Sequence, residues 1–259
     1  YTDVWKDYLD ITITTAPGYC SPSGTSTLLR ASDFLDAYFL IHDIHINLTL
    51  DNIKLDGGNN ETINSPFIQI SGVSAHLNLG LENGNPNVPI LANNKRTFNY
   101  DGDIVGGAIV ASDSSQIVMN SGLITNNAVS NAHRNGYGKG GAIYLNSANT
   151  GENPKTSFTM NAGRIINNSA SHFGGAFMIE TSAWVTINNG EISGNVAENQ
   201  SLEIGEGGAA FVAGGAATFL MKSGLMSNNR AKLYGGAVCD SWYGVVSFEG
   251  GIVENNSVT

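Results

Sequence analysis

Chemistry in this chain would have to come from three kinds of side chain. The first is a short acidic group, Asp101 and Asp103 with Asp113 ten residues on. Three carboxylates near one turn suit a hard cation, but a solvated loop ahead of Gly106 explains them as well and is the favoured reading. Glu180, Glu191, Glu203, Glu206, Asp240 and Glu249 fall at different phases of the repeat described below. They are therefore not expected to face one another across a bond, as glycoside hydrolysis requires.

The second kind is histidine: His42, His45, His76, His133 and His172. His42 and His45 are three apart, which on a strand sends them to opposite faces, so no metal site is expected from them. Ser171 beside His172 lacks the strand-turn-helix setting of a nucleophile elbow. The third kind is aromatic. Trp184 lies ten residues after a Gly-Gly pair, and Trp242 and Tyr243 lie seven and eight after another. All three are expected in the turn that follows the first strand of a repeat. There they would either bind a ligand by stacking or cover the core. No catalytic, metal or cofactor residue is assigned.

These side chains need positioning, and one recurrent phrase supplies it. Gly-Gly-Ala plus an apolar run begins at Gly106, Gly140, Gly174, Gly207 and Gly235, at spacings of 34, 34, 33 and 28 residues. Each copy closes on an Asn-rich step: Asn126-Asn127, Asn167-Asn168, Gly194-Asn195, Asn228-Asn229 and Asn255-Asn256. From Gly-Gly to the later glycine the distance is 16, 23, 16, 17 and 16 residues, and onward to the next Gly-Gly it is 18, 11, 17 and 11. The extra residues enter at two places, which must be turns because paired strands do not accept insertions. The resulting loops, 130–139, 146–155 and 197–206, are candidate binding edges.

Each unit carries three strand-length apolar runs and no helical stripe, for example 176–179, 184–188 and 191–193. Stacked in register, such units make an all-β fold, a right-handed parallel β-helix with three short strands per coil and about eight coils. One domain over 1–259 is expected, with less regular coils over 1–103 and regular repeats over 104–257. The stretch 82–101 reads as a loop. Asn at the end of the third strand would form an internal amide ladder while accepting left-handed backbone angles.

The chain of 259 residues has 12 basic and 22 acidic side chains, a net charge of −10. Nucleic-acid binding needs a basic footprint, which is missing. No apolar run approaches the roughly 18 residues of a membrane span. Cys20 and Cys239 lie many coils apart, so both are expected free, with Cys239 buried as a small hydrophobe. The pattern runs to Thr259 with no capping sequence, so the chain is expected to be a piece of a longer protein. Sequons at Asn167 and Asn255 fall on the expected ladder, where a glycan would not fit.

The Gly-Gly-Ala-[Ile/Leu/Val] phrase followed by Phe-x-x-Asn, complete at Gly140-Gly141-Ala142-Ile143 and Phe158-Thr159-Met160-Asn161, resembles the polymorphic outer-membrane proteins of chlamydiae. The other copies depart from it: Ile117-Val118-Met119-Asn120, Val185-Thr186-Ile187-Asn188 and Phe219-Leu220-Met221-Lys222. The run Thr186–Asn195 is similar to repeats of large surface proteins of gut Gram-positive bacteria, and Leu48–Gly57 resembles a strand pair of pectin-lyase-like β-helices. The resemblance implies a secreted or surface-anchored bacterial adhesin. Its partners would be a host protein or glycan, met at turn loops such as those of Trp184, Trp242 and Tyr243. The alternative is a polysaccharide lyase or glycoside hydrolase on the pectin-lyase-like fold. The Asn-Thr-Asp, Asp-Asp and Gly-His-Gly motifs expected of such glycosidases are not in the chain.

Overall fold

The two glycines of each Gly-Gly pair serve different ends, and together they organise the fold. The first adopts φ between +62° and +69° in all five copies. A Cβ at Gly140 would lie 2.4 Å from the Ile143 carbonyl oxygen, so only glycine turns this corner. The second is excluded from bearing a side chain by its neighbour in the stack. A Cβ at Gly141 would lie 2.2 Å from the carbonyl oxygen of Gly175. The alanine that follows is fully buried at Ala108, Ala142, Ala176 and Ala209.

The structure, a computed structural model, describes residues 9–14, 25–30, 36–42, 45–58, 65–82, 88–147 and 155–259. The readings placed on Cys20 and on 148–154 of the second loop lie outside them. The described residues form strands and turns with no helix, and all the paired strands run parallel. A first sheet of seven strands follows the Gly-Gly corner, running from Phe39–His42 to Val238–Ser241. A second, of eight, runs from Leu9–Ile13 to Val245–Phe248, and a third, of eight, from Ser26–Leu29 to Ile252–Glu254. Each repeat adds one strand to each sheet in turn, in unbroken register. Ile109, for example, pairs with Ile68 on one side and Ile143 on the other.

Alternate residues of the first three sheets point into one core that includes Ile109, Ile117 and Ile124 of one repeat and Phe177, Val185 and Ile192 of another. Burial alternates accordingly along Gln116–Met119 and Trp184–Ile187.

The three-strand unit is incomplete. A fourth sheet of six strands follows the Asn step, including Ala128–Asn131 and Ser169–Ala170. It is short and carries polar residues, which hides it from an apolar-run criterion. The stretch 82–101 is likewise corrected: it contains strands Ile90–Ala92 and Lys95–Phe98, paired with the third and fourth sheets. Arg96, set among polar residues, is nonetheless buried. Its guanidinium donates to the carbonyls of Gly106, at 2.7 Å, and Val105. Burial lowers its pKa to about 10.

The Asn step divides its two tasks between two residues. The first position takes the left-handed angle, at Asn126, Asn167, Gly194, Asn228 and Asn255. The second is the ladder. Asn127 donates its backbone N–H and its side-chain amide to Asn168 Oδ1, each at 3.0 Å, and the pattern continues through Asn195, Asn229 and Asn256. The sequon asparagines 167 and 255 are therefore the exposed partners and not the buried ones. The expected obstacle to a glycan there is removed.

Candidate functional site

Between the fourth sheet and the next Gly-Gly, the chain passes alongside the outer face of the first sheet. Ile104–Val105 pairs in parallel with Gly138–Lys139, and bridges extend the row from Lys139 to Phe173, Glu206 and Tyr234. Val105, Lys139, Phe173, Glu206 and Tyr234 are each the residue immediately before a Gly-Gly pair. Beside the row lie the outward residues of the first sheet, in register: Tyr144, Met178, Phe211 and Cys239. Phe173 packs on Phe211 with ring centroids 4.7 Å apart, so the row covers this floor. A second outward column, Asn146, Glu180, Ala213 and Ser241, forms the open side.

The result is a groove of about 300 Å³ lined by Tyr137, Lys139, Phe173, Glu180, Glu206 and Trp242, among others. It shares Glu180, Ala213 and Trp242 with an adjoining notch of about 570 Å³, completed by Thr181, Ser182, Gly214, Gly215 and Ala216. The notch exists because one repeat contributes Ala213-Gly214-Gly215 where its neighbours carry Glu180-Thr181 and Ser241-Trp242. A Cβ at Gly215 would meet nothing within 4 Å.

The charges are organised around one cation. Lys139 Nζ sits 2.7 Å from Asp103 Oδ2 and 2.9 Å from Glu180 Oε1. Burial disfavours its charge, but the hydrogen bonds and charges of Asp103 and Glu180 outweigh that and raise its pKa. The Tyr144 hydroxyl donates to Glu180 Oε2 at 2.6 Å, and burial, then the Glu180 charge, raises the tyrosine pKa. Both Glu180 oxygens thus have a protein partner. Glu206 Oε2 accepts from the Cys239 thiol at 3.6 Å. Burial, then Glu206, pushes that thiol up to about 12. Cys239 is free, but it is half-buried and faces outward over Glu206, so the buried placement expected for it is corrected. Its register position is that of Phe211, outside the core.

His172 underlies the row and is 1% exposed. Its Nδ1 accepts from the Gly138 N–H at 3.2 Å and from Ser171 Oγ at 2.7 Å, while Ser171 Oγ accepts from the Asn131 N–H. Burial lowers its pKa to about 4, against a smaller upward effect of Asp103. This Ser-His pair is thus a packing element.

The three aromatics do not converge. Trp242 and Tyr243 occupy the turn after Val238–Ser241 as expected, 80% and 90% exposed and both at positive φ (56° and 67°). Trp242 lines both cavities. Trp184 is 47% exposed but is the first residue of strand Trp184–Ile187 on the second sheet, and it lines neither cavity. Its turn is already finished at Ala183, whose N–H bonds back to the Glu180 carbonyl.

Glu180 and Glu206, expected apart, face one groove. Their phases differ along the chain, but the row before Gly-Gly folds over the strand after it. Asp103 is drawn to Lys139, and Asp113 accepts from Ser112 Oγ at 2.8 Å. Among the described residues no group of three His, Cys, Asp or Glu is placed to hold a metal ion. His42 Nδ1 lies 2.6 Å from Ser71 Oγ on the adjacent strand.

No protein-family model, no curated protein and no solved structure matches this chain.

Proposed function

We propose that the chain is a non-enzymatic binding scaffold: a right-handed parallel β-helix of about eight coils from a secreted or cell-surface bacterial protein of adhesin type. The observation that carries this reading is the lateral groove ending at Trp242. A rigid stack holds it, exposed aromatics rim it, and both oxygens of Glu180 are already engaged by Lys139 and Tyr144. A general acid or base must be free to exchange a proton with its substrate, and a carboxylate fixed at both oxygens by Lys139 and Tyr144 is better placed to hold a ligand than to turn it over. The winding is supported by the cyclic strand order and the core common to three sheets. The surface location rests on the resemblance of the repeats to chlamydial and Gram-positive surface proteins. A partner of the groove is a host glycan or protein. The net charge of −10 argues against nucleic acid.

The test is parallel binding and turnover with the purified 259-residue protein. Immobilised glycans and extracellular-matrix proteins are scored for saturable binding, and neutral and acidic polysaccharides for new reducing or unsaturated ends. Binding without product supports the scaffold. Saturable turnover abolished by Glu180→Gln or Glu206→Gln would instead establish the polysaccharide-active enzyme.

A further inference from the structure

Resting on the scaffold reading and deepening it, we infer that the notch between Glu180 and Trp242 is a glycan subsite that accepts a pyranose ring of a neutral oligosaccharide and rejects polyuronates.

The shape comes first. Glu180 and Trp242 stand on repeats two apart in the stack, which at the usual strand spacing separates their backbones by about 10 Å. The repeat between them contributes Ala213, Gly214 and Gly215, so its outward side chains are missing where a ring would lie. The polar partners come next. Sugar sites pair an aromatic face, on which the C–H face of a pyranose stacks, with a few fixed polar groups that hydrogen-bond its hydroxyls. Trp242 supplies the face. Glu180 is fixed by Lys139 at 2.9 Å and Tyr144 at 2.6 Å, and a carboxylate oxygen has a second lone pair for a hydroxyl donor. Thr181 and Ser182 bound the same notch.

The turn itself adds a further argument. Trp242 and Tyr243 hold successive left-handed conformations, which bulky side chains rarely adopt. Asp113 and Ser114 hold the same pair of angles in another repeat, so the turn belongs to the fold, and what distinguishes this copy is that it carries the two most exposed aromatics among the described residues. Charge then selects among sugars. Lys139 is balanced by both Asp103 and Glu180, and Glu206 adds a further negative charge to the groove. A uronic-acid chain would bring carboxylates towards an acidic surface, whereas a neutral ring meets no such penalty.

The experiment uses the whole chain and titrates it with neutral hexasaccharides of glucose, mannose and N-acetylglucosamine, and with hexagalacturonate. Two variants accompany it. Trp242→Ala removes the stacking face. Gly215→Leu fills the notch from a position where an added Cβ meets nothing within 4 Å, and it leaves Glu180 and Trp242 themselves in place. Thermal melts verify that both variants fold.

At least one neutral hexasaccharide is expected to bind saturably, with hexagalacturonate at least tenfold weaker. Each variant should lose at least tenfold in affinity, about 1.4 kcal/mol. Absence of binding by all three neutral probes overturns the inference, as does tighter binding of hexagalacturonate or unchanged affinity in folded Gly215→Leu. Failure of all three neutral probes, with a matrix protein binding equally well to wild type and both variants, overturns the glycan subsite while leaving the scaffold reading intact.

Discussion

At the scale of single residues, the amide ladder shows how this chain affords a polar interior. Asn168 is fully buried. Its Oδ1 accepts from both nitrogens of Asn127, and its amide donates to Asn195 Oδ1 and to the carbonyl of Ile124. Removing it leaves several buried groups unpaired, each costing on the order of 1–3 kcal/mol. Asn256, the last rung, is only half-buried and has fewer groups depending on it. Asn168→Ala is therefore expected to destabilise by about 3 kcal/mol or more, and Asn256→Ala by about 1 kcal/mol. Urea denaturation checks both, and equal losses would show that the ladder is not a cooperative element. Much of this was legible. Paired asparagines at a fixed phase announce an amide ladder. Which of the pair turns the chain and which enters the ladder depends on a backbone angle that no letter encodes.

At the scale of elements, the aromatic turn and the row before Gly-Gly carry the testable physics. Trp242-Tyr243 stands at two consecutive left-handed positions, where Asn-Gly is the preferred pair. Replacing the two residues with Asn-Gly is expected to raise stability by about 1–2 kcal/mol and to abolish ligand binding at the notch. A melt and a titration on one sample decide it, and a destabilised double variant would mean that the aromatics stabilise the fold by packing. His172 supplies a pH signature. Its folded pKa of about 4 lies below the ordinary histidine value of 6.5. The native state therefore binds fewer protons than the unfolded chain between those values. Stability from this site is intact above about pH 6.5, falls as pH drops and is lost by about pH 4, a change on the order of 3 kcal/mol. His172→Asn, which keeps an acceptor near the Gly138 N–H, should flatten the stability–pH curve across that window relative to wild type. Parallel curves would remove the histidine from the account. The row over His172 was the least legible element. Val105, Lys139, Phe173, Glu206 and Tyr234 share no chemical type. Their common property is to precede Gly-Gly, and only the pairing of each with the next reveals that Glu180 and Glu206 share a groove.

At the scale of the whole molecule, stability is expected to be a sum over repeats and their interfaces. Gly174 and Gly207 occupy equivalent positions, so deleting 174–206 joins Phe173 to Gly207 without changing phase. Strand Ser157–Met160 would then meet Thr218–Met221, with Phe158 beside Phe219 and Met160 beside Met221, all four fully buried now. Asn168 would meet Asn229 and keep the ladder continuous. The shortened protein is expected to fold and to retain its strand signal per residue. Its urea m-value should be lower by roughly an eighth, in line with the 33 of 259 residues removed. It should lose all groove binding, since Met178, Glu180 and Glu206 go with the deleted repeat. Deleting Thr186 alone is the opposite case. One residue removed from a paired strand sends every side chain beyond it to the other face, exposing Ile187 and burying Asn188. That variant should lose several kcal/mol or fail to fold, although it has lost one residue and not 33. Circular dichroism with urea titration separates the two outcomes. If the 33-residue deletion proves the more damaging, stability does not divide along the Gly-Gly repeat, and the additive account fails.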